Sequence, residues 1–237
     1  QIIYFYFRTS NSNKLKGSDL LNTIAVIYFN KDNTDAGKIM SNNCDVRLVW
    51  GGNEAVNSIS GLPRKVMSDD IIFGPKLSFM AIGKDSFNSE RLFKKITRKA
   101  ATDISVFDQT ACASPHTIFV EDGGNYSAYQ FAEKLAIEME KTLYRIPIGE
   151  VDKEREHLIS SKRALYEFIG NVWSSENSEW TVLYDKNFEL AEPIYSRTIT
   201  VRPVKDIMKV VEFASDEIQT IGLSLQGSQR LDFAKIV

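Results

Sequence analysis

With 237 residues, the chain has room for one large domain or two small ones. Its 29 basic and 31 acidic side chains leave no surplus to draw it to nucleic acid or to an anionic membrane. Two cysteines give no disulfide framework, which suits a reducing cytoplasm. Two histidines without a cysteine cluster make no metal site, and no apolar run reaches the ~18 residues of a bilayer-spanning helix.

Residues 2–7 (IIYFYF) lack the basic flank and cleavage site of a signal segment, and their aromatic and β-branched composition predicts a buried strand. The chain opens on Gln1 directly at that strand, as a fragment would. Residues 24–29 (IAVIYF) predict a second buried strand, and 34–42 a helix capped by Asp32 or Thr34. Residues 46–50 predict a strand running into Gly51-Gly52, with a helix at 53–59. Short strands are expected at Val66, at 71–73 and at 77–82. A basic amphipathic helix at 89–101 carries Leu92, Phe93, Ile96 and Ala100 on one side. A strand at 118–120, the turn Asp122-Gly123-Gly124-Asn125, a long helix at 126–143 and another at 153–171 follow. Strands at 180–184 and 196–201, a helix at 207–213 and a strand at 220–225 complete the pattern. Strands alternating with helices predict an α/β fold with a parallel sheet, divided near residues 80–85.

Three features carry candidate chemistry. In Trp50-Gly51-Gly52-Asn53 a strand meets a helix, where glycines let backbone approach a phosphate and the helix N-terminus offers free N–H groups. The alternative is a plain tight turn. Cys112 lies in the polar, small-residue stretch Asp108-Gln109-Thr110-Ala111-Cys112-Ala113-Ser114-Pro115-His116, ahead of the apolar 117–120. A substrate can reach a thiol in such a turn, so Cys112 is a candidate nucleophile; the alternative is a small buried residue. Cys44, at the entry to a strand, reads as structural. His116, four residues on, is placed to point away in an extended segment. Asp103, Asp108, Glu121 and Asp122 are scattered nearby and make no argued acid/base pair.

In order and spacing, these segments resemble the aldehyde dehydrogenase superfamily, and more narrowly the acyl-CoA reductase of the bacterial luminescence fatty-acid reductase complex. Val49-Trp50-Gly51-Gly52-Asn53-Glu54-Ala55 resembles the family's WGG-x-x-A turn. Residues 72–78 (IFGPKLS) resemble its FG-x-K-x-S segment, and 107–114 (FDQTACAS) its DQ-x-AC-x-S nucleophile signature. The resemblance implies an aldehyde dehydrogenase-like architecture: a partial dinucleotide-binding domain of Rossmann type at 1–82, and an α/β catalytic domain at 83–237. It implies Cys112 as nucleophile and Gly51 and Gly52 beside a pyrophosphate. Arg8-Thr9-Ser10 would meet the adenosine ribose and a 2′-phosphate, which favours NADPH, and Glu189 would hold the nicotinamide ribose. A guanidinium at Arg8 suits a phosphate dianion because it can contact it with two prongs. Surface charge is the alternative for both Arg8 and Glu189.

Two departures refine that expectation. Hydrolytic members carry, two residues before the glycine of the middle motif, a Glu that activates water; here the position is Ile72. A missing water-activating base argues against oxidation to an acid and for acyl-thioester reduction. The resemblance also covers only the middle-to-late part of a family member: the Asn amide of the oxyanion hole has no counterpart, and a Gly- and Arg-containing segment is expected after Val237. The implied reaction is NADPH-dependent reduction of a long-chain fatty acyl-CoA to the aldehyde through acyl-Cys112. The implied partners are the acyl-CoA, an acyl-protein synthetase or acyl-transferase subunit, and further copies of the chain. The rival reading is a cofactor-independent acyl carrier or acyltransferase using the same cysteine.

Overall fold

The computed structural model describes residues 23–30 and 32–237. The chain divides into two compact units between Gly74 and Pro75. The strand at 77–82, assigned to the first domain from sequence, therefore belongs to the second unit. The strand expected at 2–7 lies outside the described residues.

The first unit holds α1 (Thr34–Asn43), β1 (Val46–Trp50), α2 (Asn53–Ser60) and β2 (Asp69–Phe73). Asn33, rather than Asp32 or Thr34, caps α1: its side chain accepts from the Ala36 N–H, and Thr34 is already helical. β1 and β2 run parallel, from Val46 opposite Asp69 to Trp50 opposite Phe73. Arg47 is the hub. Its guanidinium grips Asp70 with two prongs, Nε to Oδ1 at 2.6 Å and Nη2 to Oδ2 at 2.5 Å. Nη1 also donates to Ser41 Oγ and to the carbonyls of Ile59 and Leu62. One buried cation thus ties both strands to both helices. The bond to Asp70 raises the guanidinium pKa and lowers that of the carboxyl.

Two expectations fail here. Residues 24–29 form no strand, and Ile24, Val26, Ile27 and Tyr28 are exposed. An all-apolar strand needs paired neighbours and cover on both faces, and β1 and β2 pair only with each other among the described residues. Val66 lies in an exposed turn.

The second unit holds β3 (Leu77–Ile82), α3 (Glu90–Ser105), β4 (Thr117–Glu121), α4 (Ala128–Leu143), α5 (Lys153–Ile169), β5 (Asn171–Ser174), β6 (Thr181–Tyr184), β7 (Thr198–Val204), β8 (Ile218–Ser224) and α6 (Gly227–Ile236). Short 3-10 turns occupy Lys84–Phe87, Val106–Gln109 and Ile207–Phe213, the last read from sequence as a helix. The sheet order is β5-β6-β7-β4-β3-β8, with every pair parallel except β5 and β6. β4 is buried along its whole length. Its alternate side chains feed two cores: Ile118 and Val120 meet Ala101, Phe131 and Leu135 of α3 and α4, while Phe119 meets Phe79, Ile207 and Phe233 on the other face. Ser127 and Gln130 form a reciprocal capping box on α4, and Asp122 accepts from the Ala128 N–H. Gly170 ends α5 where its backbone crowds Tyr184 O, and the chain turns back as β5, a strand not expected from the sequence, whose first residue Asn171 falls within the helix expected there.

Candidate active site

Within the second unit, Cys112 lies in the turn between α3 and β4, with its side chain exposed. The chain reaches it through three consecutive left-handed residues, Phe107, Asp108 and Gln109, with φ of 54°, 49° and 64°. A second run, Tyr195, Ser196 and Arg197, has φ of 64°, 48° and 58°. These six are the non-glycine residues of positive φ among the described residues. Residues with a Cβ hold such angles only where their surroundings over-determine them.

The two runs over-determine each other. Arg197 is 1% exposed; its Nε donates to Asp108 Oδ1 at 2.8 Å, and its two terminal nitrogens donate to the carbonyls of Ile146 and Pro147. Asp108 Oδ2 accepts from the Gly149 N–H at 2.9 Å. Gln109, fully buried, donates to the carbonyls of Pro115 and Thr198 and accepts from the Thr198 N–H. Every polar atom of that amide is used in bridging the cysteine turn to the start of β7. From β3, Ser78 brackets the turn: its Oγ donates to Cys112 O at 2.6 Å and its carbonyl accepts from the His116 N–H at 3.0 Å.

The turn leaves unpaired groups at its tip. Among the described residues, the backbone N–H groups of Ala111, Cys112 and Ala113 donate to no acceptor. Bare N–H groups beside an exposed thiol can hold the oxyanion that forms when that thiol adds to a carbonyl. Beside them opens a cavity of about 340 Å³ lined by Phe79, Met80, Val106, Phe107, Ala111 and Ala113. Asp103 is the ionisable group in its wall, and burial raises that carboxyl's pKa. Gly222 lies opposite Met80, where an added Cβ would come within 3.0 Å of Met80 Cγ.

Other candidates fall elsewhere. His116 is buried against Tyr195 with Nδ1 unpartnered, and desolvation lowers its pKa to about 4, so it is a neutral packing group. Glu121 is buried and binds Lys84; Asp122 caps α4. Glu189 is exposed, with Oε1 3.3 Å from Arg202 Nη2. Cys44 is half-buried, its thiol donating to Ser41 O. In the first unit, Gly51-Gly52 joins β1 to α2. Gly52 forms the N-cap with no side-chain bond, and a Cβ there would meet nothing within 4 Å. Among the described residues nothing covers that helix N-terminus, whose free N–H groups are of the kind that can bind an anion. Arg8, Thr9 and Ser10 lie outside the described residues. Sequence reasoning missed Asp108 and Gln109 as anchors, and it missed Arg197 and Tyr195 altogether.

The acyl-CoA reductase (LuxC) family model matches residues 3–237. The chain belongs to that family. It is 26% identical over 208 residues to a long-chain acyl-protein thioester reductase of Aliivibrio fischeri, covering 85% of this chain and 41% of the relative. A protein of the same description from Photorhabdus luminescens is 24% identical over 226 residues, covering 88% and 45%. The chain thus spans less than half the length of these relatives. Among solved structures, gamma-glutamyl-gamma-aminobutyraldehyde dehydrogenase from Burkholderia cenocepacia matches with a TM-score of 0.64 at 15% identity, over 86% of this chain and 45% of that one. A Bradyrhizobium japonicum proline utilization A mutant matches with a TM-score of 0.65 at 14% identity, over 86% and 23%. The fold is that of the aldehyde dehydrogenases.

Proposed function

We propose that this chain carries the nucleophile of an acyl-thioester reductase that converts a long-chain fatty acyl thioester to the aldehyde. The observation that carries the reading is the placement of Cys112. An exposed thiol lies in a turn with unpaired N–H groups that is clamped from two sides, and its neighbours Ala111 and Ala113 line an apolar cavity. The Cys112 thiolate adds to the thioester carbonyl, and the oxyanion rests on the N–H groups of the turn. The carbonyl re-forms as the donor thiolate leaves, giving acyl-Cys112 with its chain in the cavity beside Phe79 and Met80. A nicotinamide cofactor, when bound, supplies a hydride to that thioester carbonyl. That hydride, which becomes the aldehyde C–H, and one proton taken up by the departing Cys112 sulfur convert the acyl thioester to aldehyde and return the Cys112 thiol.

Gly51 and Gly52 are proposed to face the cofactor diphosphate. Glu189, steered by Arg202, is proposed to accept from a ribose hydroxyl. Arg8, with Thr9 and Ser10, is proposed to select NADPH by its charge on a 2′-phosphate. Ile72, where the resemblance expects the water-activating Glu of hydrolytic members, carries no base, which supports reduction of the acyl group over its hydrolysis. The donor is a thioester of CoA or of a protein; the family description names the first and the relatives' descriptions the second.

Intact-mass measurement with peptide mapping after incubation with myristoyl-CoA tests the reading. An adduct on Cys112 that disappears on adding NADPH, and is absent from Cys112→Ala, is the expected result. An adduct that persists with NADPH favours the carrier reading. Aldehyde formed by the Ala variant would overturn the nucleophile assignment.

A further inference from the structure

The chain's net charge of −2 conceals a strongly basic groove between α3 and α4. From α3 come Arg91, Lys94, Lys95 and Arg98; from α4 come Lys134 and Lys141. The carboxylate in the groove wall, Glu138, is buried and already held by both Lys134 and Lys141. Lys94 is paired with Glu90. The side chains of Arg91, Lys95 and Arg98 have no ion-pair or hydrogen-bond partner among the described residues. Their spacing of four and three places them along one stripe of the helix.

Folding alone does not favour this arrangement, since like charges three and four residues apart on a helix repel. The apolar face of α3 is already used, with Phe93, Ala100 and Ile104 in the core. The groove wall has no aromatic side chain on which a base could stack, and no apolar side chain that could enter a lipid layer. What it offers is a concave, predominantly cationic surface about two helical turns long, whose carboxylate Glu138 is already paired and three of whose positive charges are uncommitted.

We propose that the α3–α4 groove is a docking surface for an acidic protein segment, whose carboxylates pair with Arg91, Lys95 and Arg98. Arginines supply two of the three free cations, and their planar forks match carboxylates with two bonds. The docked segment lies on the helix whose C-terminal end feeds the Cys112 turn.

Binding of a fluorescein-labelled poly-glutamate peptide to the full chain, read by anisotropy over a salt series, tests this. Three proteins are compared: the chain itself, the groove variant R91E/K95E/R98E, and the control K186E/K205E/K209E, which makes the same change in net charge at exposed positions elsewhere. Circular dichroism checks that each is folded. The expected result is salt-sensitive binding, weakened by about tenfold or more in the groove variant and less than about twofold in the control. Equal weakening in both variants, or no binding to the unmodified chain at low salt, overturns the proposal. So does binding of phosphatidylserine vesicles, lost in the groove variant, without binding of the peptide: that result assigns the surface to lipid.

Discussion

Arg197 and Gln109 explain how the left-handed backbone leading into Cys112, the proposed nucleophile, is held. Each left-handed residue costs on the order of 1 kcal/mol or more, and the cluster persists because a buried guanidinium and a buried amide join its two halves. Replacing Arg197 with Met leaves the carbonyls of Ile146 and Pro147, and Oδ1 of Asp108, without their donor. The expected loss is about 3 kcal/mol in urea unfolding. Acylation of Cys112 is expected to slow by about tenfold or more, because the thiol and the N–H groups of the turn lose their alignment. A folded Arg197→Met that acylates at the original rate would show that the clamp is not needed for positioning.

His116 sets a pH dependence. Its folded pKa of about 4 lies below the ordinary 6.5, so the unfolded chain takes up a proton that the folded chain refuses. Stability is full above the unfolded pKa and falls as pH drops from there toward about 4, by about 2 kcal/mol between pH 7 and pH 5. His116→Phe keeps the edge contact with Tyr195 and removes the orphan nitrogen. Urea midpoints measured across that range should lose most of their acid slope in this variant. An unchanged slope assigns the acid sensitivity to other groups.

At the scale of elements, the cavity beside Cys112 is shaped by one small residue on β8. Gly222 stands against Met80, so a larger residue pushes that side chain into the space proposed for the acyl chain. Gly222→Val is expected to shift acylation from long-chain to short-chain acyl-CoA while leaving the thiol itself reactive. Acyl-adduct yields across a series of chain lengths measure this, and an unchanged preference would place the chain elsewhere. Most helices and strands were legible from composition and periodicity, because β4 centres on the apolar run Ile118-Phe119-Val120 and α3 and α4 are amphipathic. The errors have local causes. Residues 24–29 have strand composition, but composition does not supply the neighbours a strand needs. β5 is four residues long and its period is hidden behind α5.

For the molecule as a whole, the α/β class and the Cys112 and Gly51-Gly52 turns were readable because each depends on residues close in sequence. The clamp was not. It joins residues 89 positions apart, and Arg197 in a sequence looks like any surface arginine until the sheet order places β7 beside β4. The division at Gly74 and Pro75 was likewise hidden, since the middle motif runs straight across it.

The paired left-handed turns also bear on attempts to make this protein more heat-resistant. Among the described residues, six with side chains hold angles that glycine adopts at no steric cost. A propensity-guided search for tougher variants would therefore select glycine at Phe107, Ser196 and their neighbours. Such changes relieve strain and loosen the mount of the thiol together. Heat-survival screens and turnover screens would then rank the same substitutions in opposite order.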